Sequence, residues 1–265
     1  MMLGKLVGIG VGPGASDLLT IRAVKKINEV DVLAIPRPND YSKSLAFRIC
    51  EPHIENRDTQ EKLFLTFPMS KDKEVLRVHW EKASIEIAKR LMEGRSVGFI
   101  TQGDPMIYST FLYLMEILKE TFPPLETEIV PAVTSISAVP AATQVPLCDG
   151  KEKVAVLPAT YGVEELRAIL QDFDSVVLMK VSSVMDQVIE ALTQEDLLGH
   201  AVYVERATTH EERVVWDLTT LKGDRCVYFS MVVVNKKIRS GQLLDTRRMG
   251  AVVKEKMELE EQVLQ

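Results

Sequence analysis

Phe99-Ile100-Thr101-Gln102-Gly103-Asp104-Pro105-Met106-Ile107-Tyr108-Ser109 is the stretch whose reading decides the fold. The apolar run Val97 to Ile100 stops at Thr-Gln-Gly-Asp-Pro. A helical pattern then runs from Met106 to about Glu120, before Pro123-Pro124. In an α/β protein this is a strand whose C-terminal end opens into a loop and a helix, and ligands bind outside the carboxyl ends of parallel strands. Gly103 permits close backbone approach. Asp104 suits a helix cap and Pro105 a first helical position. Taken alone, the stretch reads as a capped turn at least as well as a binding loop.

Upstream, Lys5 to Val11 reads as a strand that runs into Gly12-Pro13-Gly14. Ser16 or Asp17 is expected to cap the next helix, whose apolar positions Leu18, Leu19, Ile21, Val24 and Ile27 are helically spaced. Asp31 to Ile35 is a second strand, which gives a βαβ unit and predicts a parallel pair. Gly10-x-Gly12-x-x-Ala15 fits a loose dinucleotide fingerprint. Pro13 removes one backbone N–H from it, and the second strand ends in Ile35-Pro36 rather than an acidic residue. Both count against a nicotinamide-dependent dehydrogenase. Arg37, Tyr41 and Lys43 lie in a polar loop after a strand end and are candidate substrate contacts. Ser44 to Cys50 reads as a helix, and Leu63 to Phe67 as a strand. Asp72 to Met92 is a long helix with Val75, Val78, Ile85, Ala88 and Leu91 near one face and Gly94 as its stop. His79 and Trp80 on it read as packing or surface residues.

Downstream, Glu128 to Val130 is a short strand leading to Pro131-Ala132-Val133-Thr134-Ser135, where Thr134 and Ser135 suit a helix cap or a ligand contact. Strands are expected at Lys153 to Leu157, Ser175 to Val181, Ala201 to Val204, Glu212 to Asp217 and Tyr228 to Val234, the last central. Helices are expected at Val163 to Gln171 and Val184 to Leu192. The organisation predicted is two α/β domains, 1–147 and 148–247, with a tail helix over 248–265.

The 265 residues are 46% apolar and 26% charged, as in an ordinary globular protein. A net charge of −6 argues against nucleic acid or an anionic membrane as partner. Cys50, Cys148 and Cys226 form no framework and suggest a reduced, cytoplasmic setting. With His53, His79, His200 and His210 they show no metal-ligand spacing. No apolar run reaches the ~18 residues of a membrane span, and the N-terminus lacks a signal-peptide plan.

Three stretches in this order resemble the tetrapyrrole methylases: Gly8-Ile9-Gly10-Val11-Gly12-Pro13-Gly14, then Gly103-Asp104-Pro105, then Val130-Pro131-Ala132-Val133-Thr134-Ser135. These are S-adenosylmethionine enzymes of the class III methyltransferase fold, with diphthine synthase as a relative. Gly103 through Phe111, and Pro146-Leu147 followed by Lys153 through Ala159, resemble more narrowly the precorrin-2/cobalt-factor II C20-methyltransferases. Ala132 departs from the family's usual glycine.

The resemblance implies a homodimer of two-domain α/β subunits, with the methyl donor between the domains and an acidic tetrapyrrole as substrate. It implies donor contacts at Pro13, Thr101, Gly103, Asp104, Met106, Ile107, Thr134 and Ser135. From the second half it adds Met179, Ala207, Thr208, Phe229, Ser230 and Met231. Asp104 and Tyr108 are the candidate proton acceptors, with Asp104 better suited to binding or capping. The activity implied is methylation of carbon 20 in cobalamin synthesis. The alternatives are another tetrapyrrole position, diphthine-type protein methylation, or a sensing module that keeps the fold.

Overall fold

The computed structural model describes residues 3–55, 58–70, 72–237, 250, 253, 254 and 257. They group into two compact units. One comprises 1–144 with 204–215 and 227–230; the other comprises 145–203, 216–226 and 231–265.

The first unit holds a five-stranded sheet of β1 (Leu6–Gly10), β2 (Val32–Arg37), β3 (Glu61–Thr66), β4 (Val97–Thr101) and β5 (Thr127–Val130), in the order β3-β2-β4-β1-β5. All its pairings are parallel. The parallel relation of β1 and β2 is as expected, but they are not neighbours, because β4 lies between them. Alternation along each strand divides the core in two. Val7, Ile9, Leu33, Ile35 and Ile100 pack with α1 (Ile21–Glu29) and α2 (Leu45–Cys50) through Ala23, Ile27, Ala46 and Ile49. Leu6, Val32, Ala34, Val97 and Phe99 pack with α3 (Lys73–Met92) and α4 (Phe111–Thr121) through Ile87, Leu91, Phe111 and Leu114. Helices thus cover both sheet faces, which is why the strands read as unbroken apolar runs.

Three helical expectations change. Ser16–Leu18 is a separate 3-10 turn, and Thr20 caps α1 by accepting the Ala23 N–H at 3.1 Å. On α3, Val75, Val78 and Ile85 are exposed, whereas Ala83, Ser84, Ile87 and Leu91 are buried. Small side chains at 83 and 84 let the helix approach the sheet on that face. The helix expected from Met106 begins at Phe111, for reasons that belong to the site. Other expectations stand: Gly94 ends α3 at φ 79, and Trp80 stacks on Tyr113 at 4.1 Å.

The second sheet runs β6-β7-β10-β8-β9, from β6 (Val154–Pro158), β7 (Ser175–Met179), β8 (Ala201–Glu205), β9 (Arg213–Val215) and β10 (Ser230–Asn235). β6 and β7 are parallel and β10 runs antiparallel to β7, so the apolar β10 is central as its sequence suggests. α5 (Ser135–Thr143) ends the first unit's main segment and precedes β6, while α6 (Val163–Asp172) joins β6 to β7 and α7 (Met185–Gln194) lies between β7 and β8. Of the expected tail helix, Gly250, Val253, Lys254 and Met257 are helical, and the rest lies outside the described residues.

Candidate functional site

Three adjacent strands, β4, β1 and β5, end together in the first unit. The chain leaves β1 for a helix on one face and β4 for a helix on the other, so their loops part at a topological switch point. An isolated bridge pins the loops where they part: Gly103 N donates to Gly12 O at 2.8 Å. Both glycines hold left-handed backbone, φ 85 at Gly12 and φ 68 at Gly103, which other residues adopt at a cost. A Cβ at Gly103 would meet nothing within 4 Å, so open space lies over this point. At Gly10 it would lie 2.6 Å from Ala132 Cβ and 2.7 Å from Gly103 O. The third loop therefore packs directly on the end of β1.

Asp104 joins two of these loops. Its Oδ1 accepts the Met106 N–H at 2.9 Å, and its Oδ2 accepts the Ala132 N–H at 2.9 Å. The first bond holds a tight turn rather than a helix start. Tyr108 then takes φ 51, which no right-handed helix tolerates, and Ser109 Oγ accepts the Phe111 N–H at 3.2 Å. That is why α4 begins five residues late. The delay leaves Met106, Ile107 and Tyr108 exposed on an irregular segment. Thr101 is buried with Ser109, their hydroxyls 3.1 Å apart. Thr134 precedes α5 without a side-chain cap bond.

The loop after β1 cannot cradle a diphosphate. Pro13 has no N–H, the Gly12 N–H points to Gly103 O at 3.4 Å, and the Ala15 N–H donates to Thr208 Oγ1 at 3.0 Å. Only Gly14 of the four amide positions is left for a phosphate oxygen. Gln102, which sequence reasoning passed over, holds the same loop by donating from Nε2 to Pro13 O at 3.0 Å. No local pattern marks it, because its partner is 89 residues away.

Of the residues expected at a donor site, Pro13, Thr101, Gly103, Asp104, Met106, Ile107, Thr134 and Ser135 lie on these three strand ends. Ala207, Thr208, Phe229 and Ser230 also belong to the first unit. Met179 and Met231 belong to the second, paired across β7 and β10. Arg37, Tyr41 and Lys43 follow the end of β2. Arg37 lies over the Phe64 ring, 5.3 Å from its centroid, and donates to Asp40 Oδ1 at 2.7 Å. The Thr66 hydroxyl and then Arg37 hold the Asp40 carboxyl below its usual range. Tyr41 and Lys43 are exposed. Among the described residues no group of three or more His, Cys, Asp or Glu side chains is placed to hold a metal ion.

Comparison with known proteins bears on this arrangement. The family model for Tetrapyrrole (Corrin/Porphyrin) Methylases matches residues 5–222. The chain is 36% identical over 215 residues to the probable cobalt-precorrin-2 C(20)-methyltransferase of Methanocaldococcus jannaschii, covering 81% of this chain and 87% of that one. It is 35% identical over 237 residues to the cobalt-precorrin-2 C(20)-methyltransferase of Salmonella typhimurium, covering 89% and 98%. In fold it is like the uroporphyrin-III C-methyl transferase of Thermus thermophilus, solved in complex with S-adenyl homocysteine. That match has a TM-score of 0.64 at 19% identity over 88% of this chain and 98% of that one. With motif order, sheet topology and relatives in agreement, the chain belongs to the tetrapyrrole methylase family.

Proposed function

We propose that this protein transfers a methyl group from S-adenosylmethionine to carbon 20 of precorrin-2 or cobalt-factor II during corrin-ring synthesis. The observation that carries the reading is the open, pinned switch point between Gly12 and Gly103. It stands in a chain more than a third identical, over more than four-fifths of its length, to two relatives named for C(20) methylation. The residues there suit the donor. Exposed Met106 and Ile107 offer apolar surface for adenine and the methionine stem, and backbone groups of the 102–104 loop offer orientation.

The donor's sulfonium supplies an already activated methyl group. What remains for this chain is to place the acceptor carbon in line with it, and positioning of that kind lowers a barrier by up to ~7–11 kcal/mol. The three tied loops do this by being fixed before substrates arrive. Asp104 serves as a post in this scheme, because both its oxygens are taken by backbone N–H groups. Tyr108, half exposed beside Met106 and Ile107, is the better placed group to relay the proton that leaves the methylated carbon, its own phenolic proton passing to solvent. Arg37 and Lys43, with Tyr41, face the substrate carboxylates in this reading. Thr134, Ser135, Ala207, Phe229 and Ser230 are further donor contacts within the first unit. A homodimer in the cytoplasm belongs to the same reading.

Calorimetry with S-adenosylhomocysteine and with NADH tests the cofactor. Binding of the first alone supports the reading, and binding of the second alone overturns it. Product mass after incubation with the tetrapyrrole, and with cell protein as competing acceptor, separates ring methylation from diphthine-type modification.

A further inference from the structure

Residues 206–209 form a strained turn that packs on the loop after β1. Arg206 at φ 50 and Thr208 at φ 69 both hold left-handed backbone. A β-branched residue is a genuine outlier there, and it persists only where its surroundings over-determine it. Here they do. Thr208 N donates to Glu212 Oε2 at 2.6 Å, and Arg206 N donates to Phe229 O at 2.8 Å. Arg206 O accepts from both the backbone N–H and the hydroxyl of Thr209, at 3.1 and 2.8 Å.

The contact secured by this turn is the bond from the Ala15 N–H to Thr208 Oγ1, at 3.0 Å across 193 residues of sequence. Gly14 shows how close the two segments come. A Cβ there would lie 2.6 Å from Thr209 Cγ2 and 2.9 Å from Ala207 O. From the other direction the same loop is held by Gln102 on Pro13 O and by the Gly12–Gly103 bridge. The Gly12–Ala15 backbone is thus tethered at three of its four residues.

We infer that Thr208 is a positioning residue of the donor site, acting through Ala15 to hold the Gly12–Ala15 loop in its binding conformation before the donor arrives. The inference rests on the methyl-transfer reading. Its physical basis is preorganisation: a loop already ordered loses less freedom on binding. The strained turn is what brings the hydroxyl to Ala15.

Thr208→Val keeps the shape and the β-branch, and with them the backbone strain, but removes the acceptor. Thr208→Ser keeps the acceptor. Three measurements are made on each and on the unchanged protein: exchange of the Ala15 amide without ligand, calorimetric Kd for S-adenosylhomocysteine, and KM for the tetrapyrrole. Valine is expected to abolish protection of the Ala15 amide and weaken the Kd about tenfold, with the tetrapyrrole KM moved by no more than about twofold. Serine is expected to restore both. If the valine variant fails to fold, Thr208→Ala makes the same comparison. Unchanged Ala15 protection and Kd in the variant lacking the hydroxyl overturn the inference, as does a serine variant as impaired as valine. Failure of the unchanged protein to bind S-adenosylhomocysteine overturns the methyl-transfer reading instead, and Ala15 exchange still decides whether the clamp exists.

Discussion

Replacing Asp104 by asparagine distinguishes a post from a base. In the native site each carboxylate oxygen accepts one backbone N–H, from Met106 and from Ala132, both at 2.9 Å. An asparagine has one such oxygen. Whichever way its amide is turned, one N–H faces an NH2 group and loses its acceptor. A hydrogen bond to a charged group contributes about 1.5–3 kcal/mol, and an unsatisfied donor costs about 1–3 kcal/mol when buried. Both Asp104 and Ala132 are half-buried, so water recovers part of this. The expected loss of stability is about 1–2 kcal/mol. On the proposed reading, in which these two loops wall the donor, the same distortion is expected to weaken its Kd about five- to thirtyfold. Asp104→Ala loses both bonds and is expected to cost roughly 2–3 kcal/mol. Urea unfolding, calorimetry with S-adenosylhomocysteine and steady-state kinetics read the three effects. A general base gives the opposite split: asparagine would lower kcat by about 10²–10⁴ with Kd and stability unmoved. That result would refute the reasoning.

Gly10→Ala is expected to destabilise by about 1–3 kcal/mol or more through its 2.6 Å clash with Ala132 Cβ. Gly103→Ala has open space and should lose only the roughly 1–2 kcal/mol of its left-handed backbone. Thermal unfolding ranks them, and a Gly10→Ala variant as stable as the unchanged protein would contradict the packing described. The Ser96 hydroxyl and then its backbone N–H hold the Asp31 carboxyl below its usual value. The stability this gives is present above the unfolded pKa of about 3.9 and is lost as pH falls through the lower folded value. Ser96→Ala should therefore destabilise at pH near 7 and much less at strongly acid pH, whereas urea unfolding that shows equal losses at both would exclude the linkage. Burial pushes the Cys50 thiol up to about 12, while Cys148 is exposed. Iodoacetamide at mildly alkaline pH should label Cys148 and spare Cys50 in the folded protein; mass spectrometry showing comparable rates would mean that Cys50 is not buried.

The strand-to-loop junctions were legible because each is a local event. An apolar run ends in glycine, proline or a capping residue at Gly12-Pro13, Gly103-Asp104-Pro105 and Pro131. The second sheet's central strand was legible too, since Met231 to Val234 is apolar without a break. Strand order was not. β1, β2 and β4 are all buried on both faces, and nothing in their periodicity says which of them pair. The start of α4 was misread because Asp104 holds a tight turn at Met106 and ties it to Ala132, 28 residues on, and Tyr108 turns left-handed, so that Ser109 takes the first helical N–H instead. The buried face of α3 was misread because the residues that approach the sheet include Ala83 and Ser84, which carry little apolar signal. Thr208 stood out only by resemblance. Its bond to Ala15 and its left-handed backbone are properties of the folded chain.

The central claim is tested most directly by incubating the protein with S-adenosylmethionine carrying a 13C-labelled methyl group and with the two-fold methylated tetrapyrrole, metal-free and cobalt-bearing in parallel. Carbon NMR of the isolated product should show one new labelled methyl, coupled to ring carbon 20, in at least one of the two. Label on a different ring carbon, label on protein alone, or no transfer to either tetrapyrrole would contradict it.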